Sequence, residues 1–414
     1  MTYQNNKIIY LFPSSLFFLM MFLPQTHQEI KYVLLCFSLI FGIFIATSSK
    51  FYYSKTFFFW FYVYIGFYLI WISLGFLNGN PGVIDFFRIQ VLWPFIFVVL
   101  VSYINSQKII YHLFKMMIIT SLIISIYNIY NFLVFINIAP FLLDLTGDFA
   151  VGIHSGYSQI TSLSINTLTF LMPFIIGTTI TSNDLLKNIN VSRTLLIVTL
   201  IACILCTILS GRRIFWLIYI FNIIVIIIIR RSQLLLYKRI VTITLMISII
   251  LILFVSFNLI LDLDHNVIIK RFVLEVDLSS NNARNYQRIA LMNGFYENPI
   301  IGSGFGVGVK DIIRSAARVW TYELTYHLYL YNTGIIGITI FLSCLVYPIV
   351  WGVNLFRRDP SLFNIIFPII IGYMSVLIAS ATNPILTSSF DFEWMLFLPI
   401  GILNCLEITF AKQA

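Results

Sequence analysis

A succession of apolar runs, most of them close to 20 residues long, decides what this chain can become. They cover about 7–24, 32–48, 56–77, 91–105, 110–137, 158–181, 194–210, 214–229, 240–261, 327–350, 364–381 and 393–410. A helix rises about 1.5 Å per residue, so about 20 apolar residues match a hydrocarbon core roughly 30 Å thick. In such a core every backbone N–H and C=O must be bonded within the protein. Uninterrupted runs of this length meet that demand as helices, whereas a barrel strand needs only about ten residues of alternating character. The expectation is an all-α, polytopic membrane protein with about 12 transmembrane helices. Composition points the same way, with 60% hydrophobic and 10% charged residues; a water-soluble domain carries about 45–50% and 25%.

One polar stretch, 262–326, interrupts the series. We read residues 1–414 as a single integral membrane domain with 262–326 inserted as a long extracytoplasmic loop. No repeat of 20–50 residues is visible. The first run follows Lys7 and lacks a small-residue cleavage site near its end, so it reads as a retained helix. Cys36, Cys203, Cys206, Cys344 and Cys405 all fall inside apolar runs, which implies packed thiols and no disulfide framework. Cys203 and Cys206 lie one turn apart but have no second ligand pair, so no metal is assigned.

Net charge is +9, and its placement speaks of topology; no nucleic-acid partner is implied. With both termini inside, 14 of the 25 basic residues fall on the cytoplasmic side, including Lys55, Lys108, Arg357 and Arg358. Seven more sit in the long loop, which translocates largely regardless of charge. Lys31, Arg88, Arg212 and Arg213 remain on short outer connections, against the positive-inside rule. Such exceptions are where function is sought first.

Three constellations carry chemistry. Ser210-Gly211-Arg212-Arg213 joins two apolar runs at the outer surface. A half-buried guanidinium requires an anion, and its planar fork suits a diphosphate; the plain alternative is snorkelling to lipid headgroups. Arg88, in Asp85-Phe86-Phe87-Arg88, either joins that clamp or pairs with Asp85. In the loop, 281–297 has helical character and puts Arg284 and Arg288 on one face. Pro299 with Gly302, Gly304, Gly306 and Gly308 then forces a turn, either one whose backbone approaches a ligand closely or a plain tight turn. Its spacing fits no nucleotide-binding fingerprint. Glu323 and His327 share a helix face at the next membrane entry, where a neutral imidazole suits a general base and Glu323 orients it or shares the task. His154 is a weaker candidate of the same kind, and Asp262-Leu263-Asp264-His265 resembles the Asp-x-Asp metal site of some membrane glycosyltransferases.

The order of these elements is similar to the O-antigen ligase and O-antigen polymerase superfamily. The residues that carry the resemblance are Ser210-Gly-Arg-Arg213, Arg284, Glu297-Asn-Pro-Ile-Ile-Gly-Ser-Gly-Phe-Gly306 and His327-Leu-Tyr-Leu-Tyr-Asn-Thr-Gly-Ile-Ile-Gly337. They span about a third of the chain, 205–340. Gly211 separates Ser210 from the arginines, so either Arg212 or Arg213 takes the family role. The resemblance implies a polytopic, GT-C-like glycosyltransferase in the bacterial cytoplasmic membrane, with its site facing the periplasm or cell exterior. It implies inversion, no required metal and no cofactor, with an undecaprenyl-diphosphate-linked oligosaccharide as donor. Arg212 or Arg213, with Arg284 and Arg288, would stabilise the leaving diphosphate, and His327 would take the acceptor proton. Membrane lipids, a chain-length regulator and a flippase of the same pathway are the partners implied.

Within that superfamily a polymerase of O-antigen or related surface polysaccharide is favoured by the diverged loop signature and by abundant aromatics, 40 Phe, 23 Tyr and 7 Trp. The alternatives are a ligase transferring the glycan to lipid A core and a flippase or secondary transporter for the same lipids. Transporters commonly show duplicated halves and charges near the midplane; here no repeat appears and the charges gather at one face.

Overall fold

The computed structural model describes residues 7–48, 53–141, 145, 151–154, 157–181, 183–228, 278–309, 312, 315 and 318–411. The expected apolar run 240–261, the Asp262–His265 motif and the first part of the loop lie outside them.

In chain order the helices are α1 (Lys7–Phe22), α2 (Gln28–Ser48), α3 (Lys55–Leu77), α4 (Val83–Phe87), a π turn (Arg88–Leu92) leading into α5 (Trp93–Val101), and α6 (Gln107–Phe135). A hairpin of β1 (Val151–His154) and β2 (Tyr157–Ile160) follows, antiparallel with Val151 opposite Ile160. Then come α7 (Ser164–Ile180), α8 (Asn183–Ile189), α9 (Arg193–Leu209), α10 (Arg213–Ile228), α11 (Leu278–Glu297), α12 (Thr325–Arg358), α13 (Phe363–Ala379), α14 (Ile385–Ser388) and α15 (Trp394–Ala411). The chain is therefore an all-α, multi-pass membrane protein, with one hairpin among the described residues. Among the described residues five helical stretches are long and apolar enough to cross a bilayer: Lys55–Leu77, Val83–Val101, Gln107–Phe135, Thr325–Arg358 and Pro360–Ala379. Five shorter apolar helices accompany them.

Three boundaries differ from the sequence expectation. The run expected at 158–181 yields its first residues to β2, and the helix starts at Ser164. The run expected at 91–105 begins earlier, because a π turn carries α4 into α5 without a break. Arg88 thus sits within a helical stretch, its Nη2 3.0 Å from Asp85 Oδ1, so of its two expected roles the structure shows the local ion pair. The run expected at 327–350 extends to Thr325–Arg358 and is broken inside, where Gly334 adopts φ 63° and ψ −169°.

The fold divides into two compact units. The first holds residues 1–113, 284–366 and 376–414. There α12 packs against α3 and α15, α5 against α15 and α2, and α1 against α2. Buried Trp60, Tyr64, Phe67, Tyr68 and Tyr329 build an aromatic seam, in which the Tyr68 and Tyr329 hydroxyls lie 2.8 Å apart. Lys31, one of the four rule-breaking cations, is wholly buried here. Its Nζ donates to Asp391 Oδ1 at 2.8 Å and to the Leu23 carbonyl at 2.6 Å. Asp391 also accepts from the Gln25 N–H and from Gln28 Nε2, each at 2.7 Å. A buried ion pair is tolerable only with such additional bonds, so the exception at Lys31 is structural.

The second unit holds 114–283 and 367–375. Its centre is α7, which is buried along nearly its whole length and packs against α9 and α10. Gly177 lets α7 approach Pro368 of α13, since a Cβ there would come within 2.7 Å of the Pro368 backbone.

Candidate functional site

The site of the first unit is assembled by a backbone latch. The segment 298–306 runs across the break in α12 and repairs it. Ahead of the break, the Tyr331 and Asn332 carbonyls accept from Ser303 and Gly304 N–H at 3.2 and 2.8 Å. Past it, Ile335 and Ile336 N–H donate to the Pro299 and Ile300 carbonyls at 2.9 and 3.2 Å. Two carbonyls and two N–H groups at the break in a membrane helix thereby find partners, as a low-dielectric surrounding demands. On its other side the same segment is tied to α3 and the turn after it. Phe305 N–H donates to the Trp71 carbonyl, Gly82 N–H to the Gly306 carbonyl, and Asn80 Nδ2 to the Ser303 and Phe305 carbonyls.

The glycines exist for this latch. Gly304 and Gly306 have φ 79° and 89°, and a Cβ on either would lie 2.4 Å from backbone nitrogen, of Gly75 and Val83 respectively. Gly302, with φ 70°, sits against the Asn332–Thr333 peptide. The expectations for this turn were ligand approach or a plain tight turn; the close approach the structure shows is to the chain's own backbone. Phe305 is fully buried among Phe67, Tyr68, Phe86 and Tyr329.

The latch fixes α11 beside α12. Gly294 allows that contact, as a Cβ would meet the Tyr331 ring at 2.5 Å. The face that carries Gly294 and buried Leu291 also carries Gln287, Arg288 and Arg284 at helical spacing. Arg284 Nε donates to Glu323 Oε2 at 2.6 Å. Glu323 is held again by its N–H, which donates to Oε1 of buried Gln287 at 3.1 Å. One turn into α12 lies half-buried His327, within electrostatic reach of Arg288. Exposed Arg288 also donates to Asn285 Oδ1. Sequence reasoning brought Arg284, Arg288, Glu323 and His327 together, and the structure does so as well. The bond shown for the Glu323 carboxylate is to Arg284. Gln287 was missed, although its place three residues after Arg284 signalled it.

In the second unit, Ser210-Gly211-Arg212-Arg213 turns α9 into α10, with Gly211 at φ 61°. Arg212 folds inward. Its Nη1 donates to Asn166 Oδ1, and its Nη2 to the Thr161 and Ser162 carbonyls at 3.3 and 3.4 Å. All three acceptors are neutral oxygens. Burial pushes the guanidinium down to about 10, which leaves it cationic at neutral pH. Arg213, the first residue of α10, is exposed. His154 closes β1 opposite Tyr157. Among the described residues no group of three or more His, Cys, Asp and Glu is placed to hold a metal.

A further acidic residue escaped the sequence reading. Glu393, 6% exposed, lines a small cavity with Tyr64 and Tyr68 ahead of α15. Its position at the mouth of an apolar run was the available signal.

No protein-family model and no curated protein matches the chain.

Proposed function

We propose that this protein is a polysaccharide polymerase of the bacterial cytoplasmic membrane, with about 12 transmembrane helices and its site on the outer face. It would join undecaprenyl-diphosphate-linked oligosaccharide repeat units, such as those of O-antigen, with inversion. The observation that carries the reading is the gathering of Arg284, Arg288, Glu323 and His327 where α11 meets the head of α12.

The chemistry balances on these groups. The acceptor hydroxyl oxygen forms a bond to the donor's anomeric carbon, and the bond from that carbon to the diphosphate oxygen breaks. The hydroxyl proton passes to an imidazole nitrogen of His327. The electron pair leaves with the lipid diphosphate, whose growing charge Arg284 and Arg288 meet as preorganised cations. Glu323 holds Arg284 through Nε, so the two terminal nitrogens remain the natural fork for a diphosphate oxygen pair. In the second unit, taken by itself, Arg212 is a cation suited to a diphosphate oxygen, because its hydrogen-bond acceptors are all neutral.

Deletion of the protein, followed by gel profiling of surface polysaccharide, tests the reading. A single repeat unit on the acceptor, restored to a ladder by wild type and not by Arg284→Ala, is expected. Lipid-linked polymer accumulating without transfer would mean a ligase. Single lipid-linked units trapped on the cytoplasmic side would mean a transporter.

A further inference from the structure

The turn 298–306 sits deep for part of an aqueous loop. It is tied to α3 at Trp71, whose carbonyl accepts from Phe305 N–H, and at Gly75, against which Gly304 packs. Trp71 and Gly75 lie 16 and 20 residues along α3 from Lys55, about 24 and 30 Å at about 1.5 Å per residue. On α12 the turn is tied at the Gly334 break, 23 residues before Arg357, or about 35 Å. By the charge rule Lys55 and Arg357 mark the cytoplasmic surface. Two independent rulers therefore place the turn near the outer edge of a hydrocarbon core roughly 30 Å thick.

The side chains match that depth. Ile300 and Ile301 are 62% and 53% exposed, and Ile335 and Ile336, just past the break, are 56% and 47% exposed. Ile336 N–H donates to the Ile300 carbonyl, and a Cβ on Gly334 would lie 2.3 Å from that same oxygen, so the two pairs adjoin. Ile335 and Ile336 belong to a helix long and apolar enough to cross the bilayer, and the turn extends its apolar surface. Exposed Tyr296 stands one turn before Ile300, where its ring meets apolar surface and its hydroxyl stays among headgroups.

The backbone is equally prepared. The carbonyls of residues 298 to 301 are all taken, by Gly302 N–H, Ile335 N–H, Ile336 N–H and Trp71 Nε1 in turn. Irregular backbone is tolerated at membrane depth only where the protein satisfies it. Four isoleucines offer a protein partner no charge or hydrogen bond by which to be specified. Acyl chains ask for neither.

We propose that Ile300 and Ile301, with Ile335 and Ile336, form a docking surface for the acyl chains of the outer leaflet. The loop is then re-entrant. α11 runs beside the head of α12, with Arg284 at Glu323, Gly294 at Tyr331 and Ile300 at Ile336, and its following turn meets hydrocarbon. Lipid thereby anchors the segment that carries Arg284 and Arg288.

Spin labelling of the full chain in lipid nanodiscs tests this. Nitroxides are placed at Ile300→Cys, Ile301→Cys, Ile336→Cys and Tyr286→Cys in a Cys36→Ser background, Cys36 being the exposed one of the free cysteines. Tyr286 is the aqueous reference, exposed and ten residues before Tyr296, about 15 Å up α11. Collisions with oxygen, which concentrates in hydrocarbon, are compared with collisions with a water-soluble nickel chelate. The oxygen-to-nickel ratio at 300 and 301 is expected to match that at 336 and to exceed that at 286 several-fold. A ratio at 300 and 301 equal to that at 286 would overturn the proposal in favour of an aqueous loop. Low collision rates with both reagents would overturn it too, the mark of a face covered by a second copy or another protein. The unsubstituted protein gives a second reading that needs no cysteine variant to fold. A lipid-soluble diazirine is expected to label residues 300–301 and hydroxyl radicals to spare them, and the reverse pattern would overturn the proposal.

Discussion

The guanidinium of Arg284 is held by its Nε, 2.6 Å from Oε2 of Glu323, where α11 meets the head of α12. The pair is partly exposed, so its direct contribution to stability is small, on the order of 1 kcal/mol or less. Its value is orientation. Arg284→Ala is expected to lower polymerisation about 100-fold to 1000-fold, the usual cost of one preorganised donor at a developing anion. Glu323→Gln, which keeps a hydrogen-bond acceptor, should cost far less, about tenfold. Rates of purified variants on a lipid-diphosphate-linked repeat unit check both; equal losses would remove the positioning role of Glu323.

His327 stands one turn into α12 with Arg288 in electrostatic reach. As the proposed base it would contribute about 100-fold to 10,000-fold. His327→Ala is therefore expected to lower the rate of the chemical step with little change in donor binding. A variant that polymerises at the wild-type rate would exclude His327 from the reaction.

The latch predicts an uneven response to glycine substitution. Gly304→Ala and Gly306→Ala force a side chain into positive φ and against backbone at 2.4 Å. Each should cost at least about 1–3 kcal/mol of strain and lower the melting temperature in detergent. Gly66, in α3, has nothing within 4 Å of its missing Cβ, so Gly66→Ala should be neutral or mildly stabilising. Similar melting temperatures for all three variants would contradict this account of the turn.

Breaking the buried Lys31–Asp391 pair should be felt in stability. Lys31→Met leaves a wholly buried carboxylate without its counter-charge, at a cost of about 3–5 kcal/mol. Thermal or denaturant unfolding in detergent reads it. A loss below about 1 kcal/mol would mean that Asp391 is adequately served by Gln25 and Gln28.

Much of the fold could be read from the sequence because a bilayer permits so few solutions. Every expected apolar run among the described residues holds a helix, and the helix predicted over 281–297 is present. What local pattern could not convey was packing across long sequence distances. The glycines of 302–306 have the composition of a ligand loop, and only the break at Gly334 of α12 shows that they serve the chain's own backbone. Lys31 looked like a functional exception because its partner lies 360 residues away. Glu323 and His327 lie four residues apart, which suggested that Glu323 orients His327 or shares its task. The partner that holds Glu323, Arg284, belongs to another helix, and helical spacing alone carries no information about it.

The most direct test of the central claim is the product length made by the purified protein in nanodiscs from a single lipid-diphosphate-linked repeat unit. The account predicts a ladder of polymer and release of the lipid diphosphate with wild type. It predicts neither with Arg284→Ala or His327→Ala. A ladder of wild-type length from both variants, or no polymer from wild type together with transfer to a lipid A core acceptor, would contradict it.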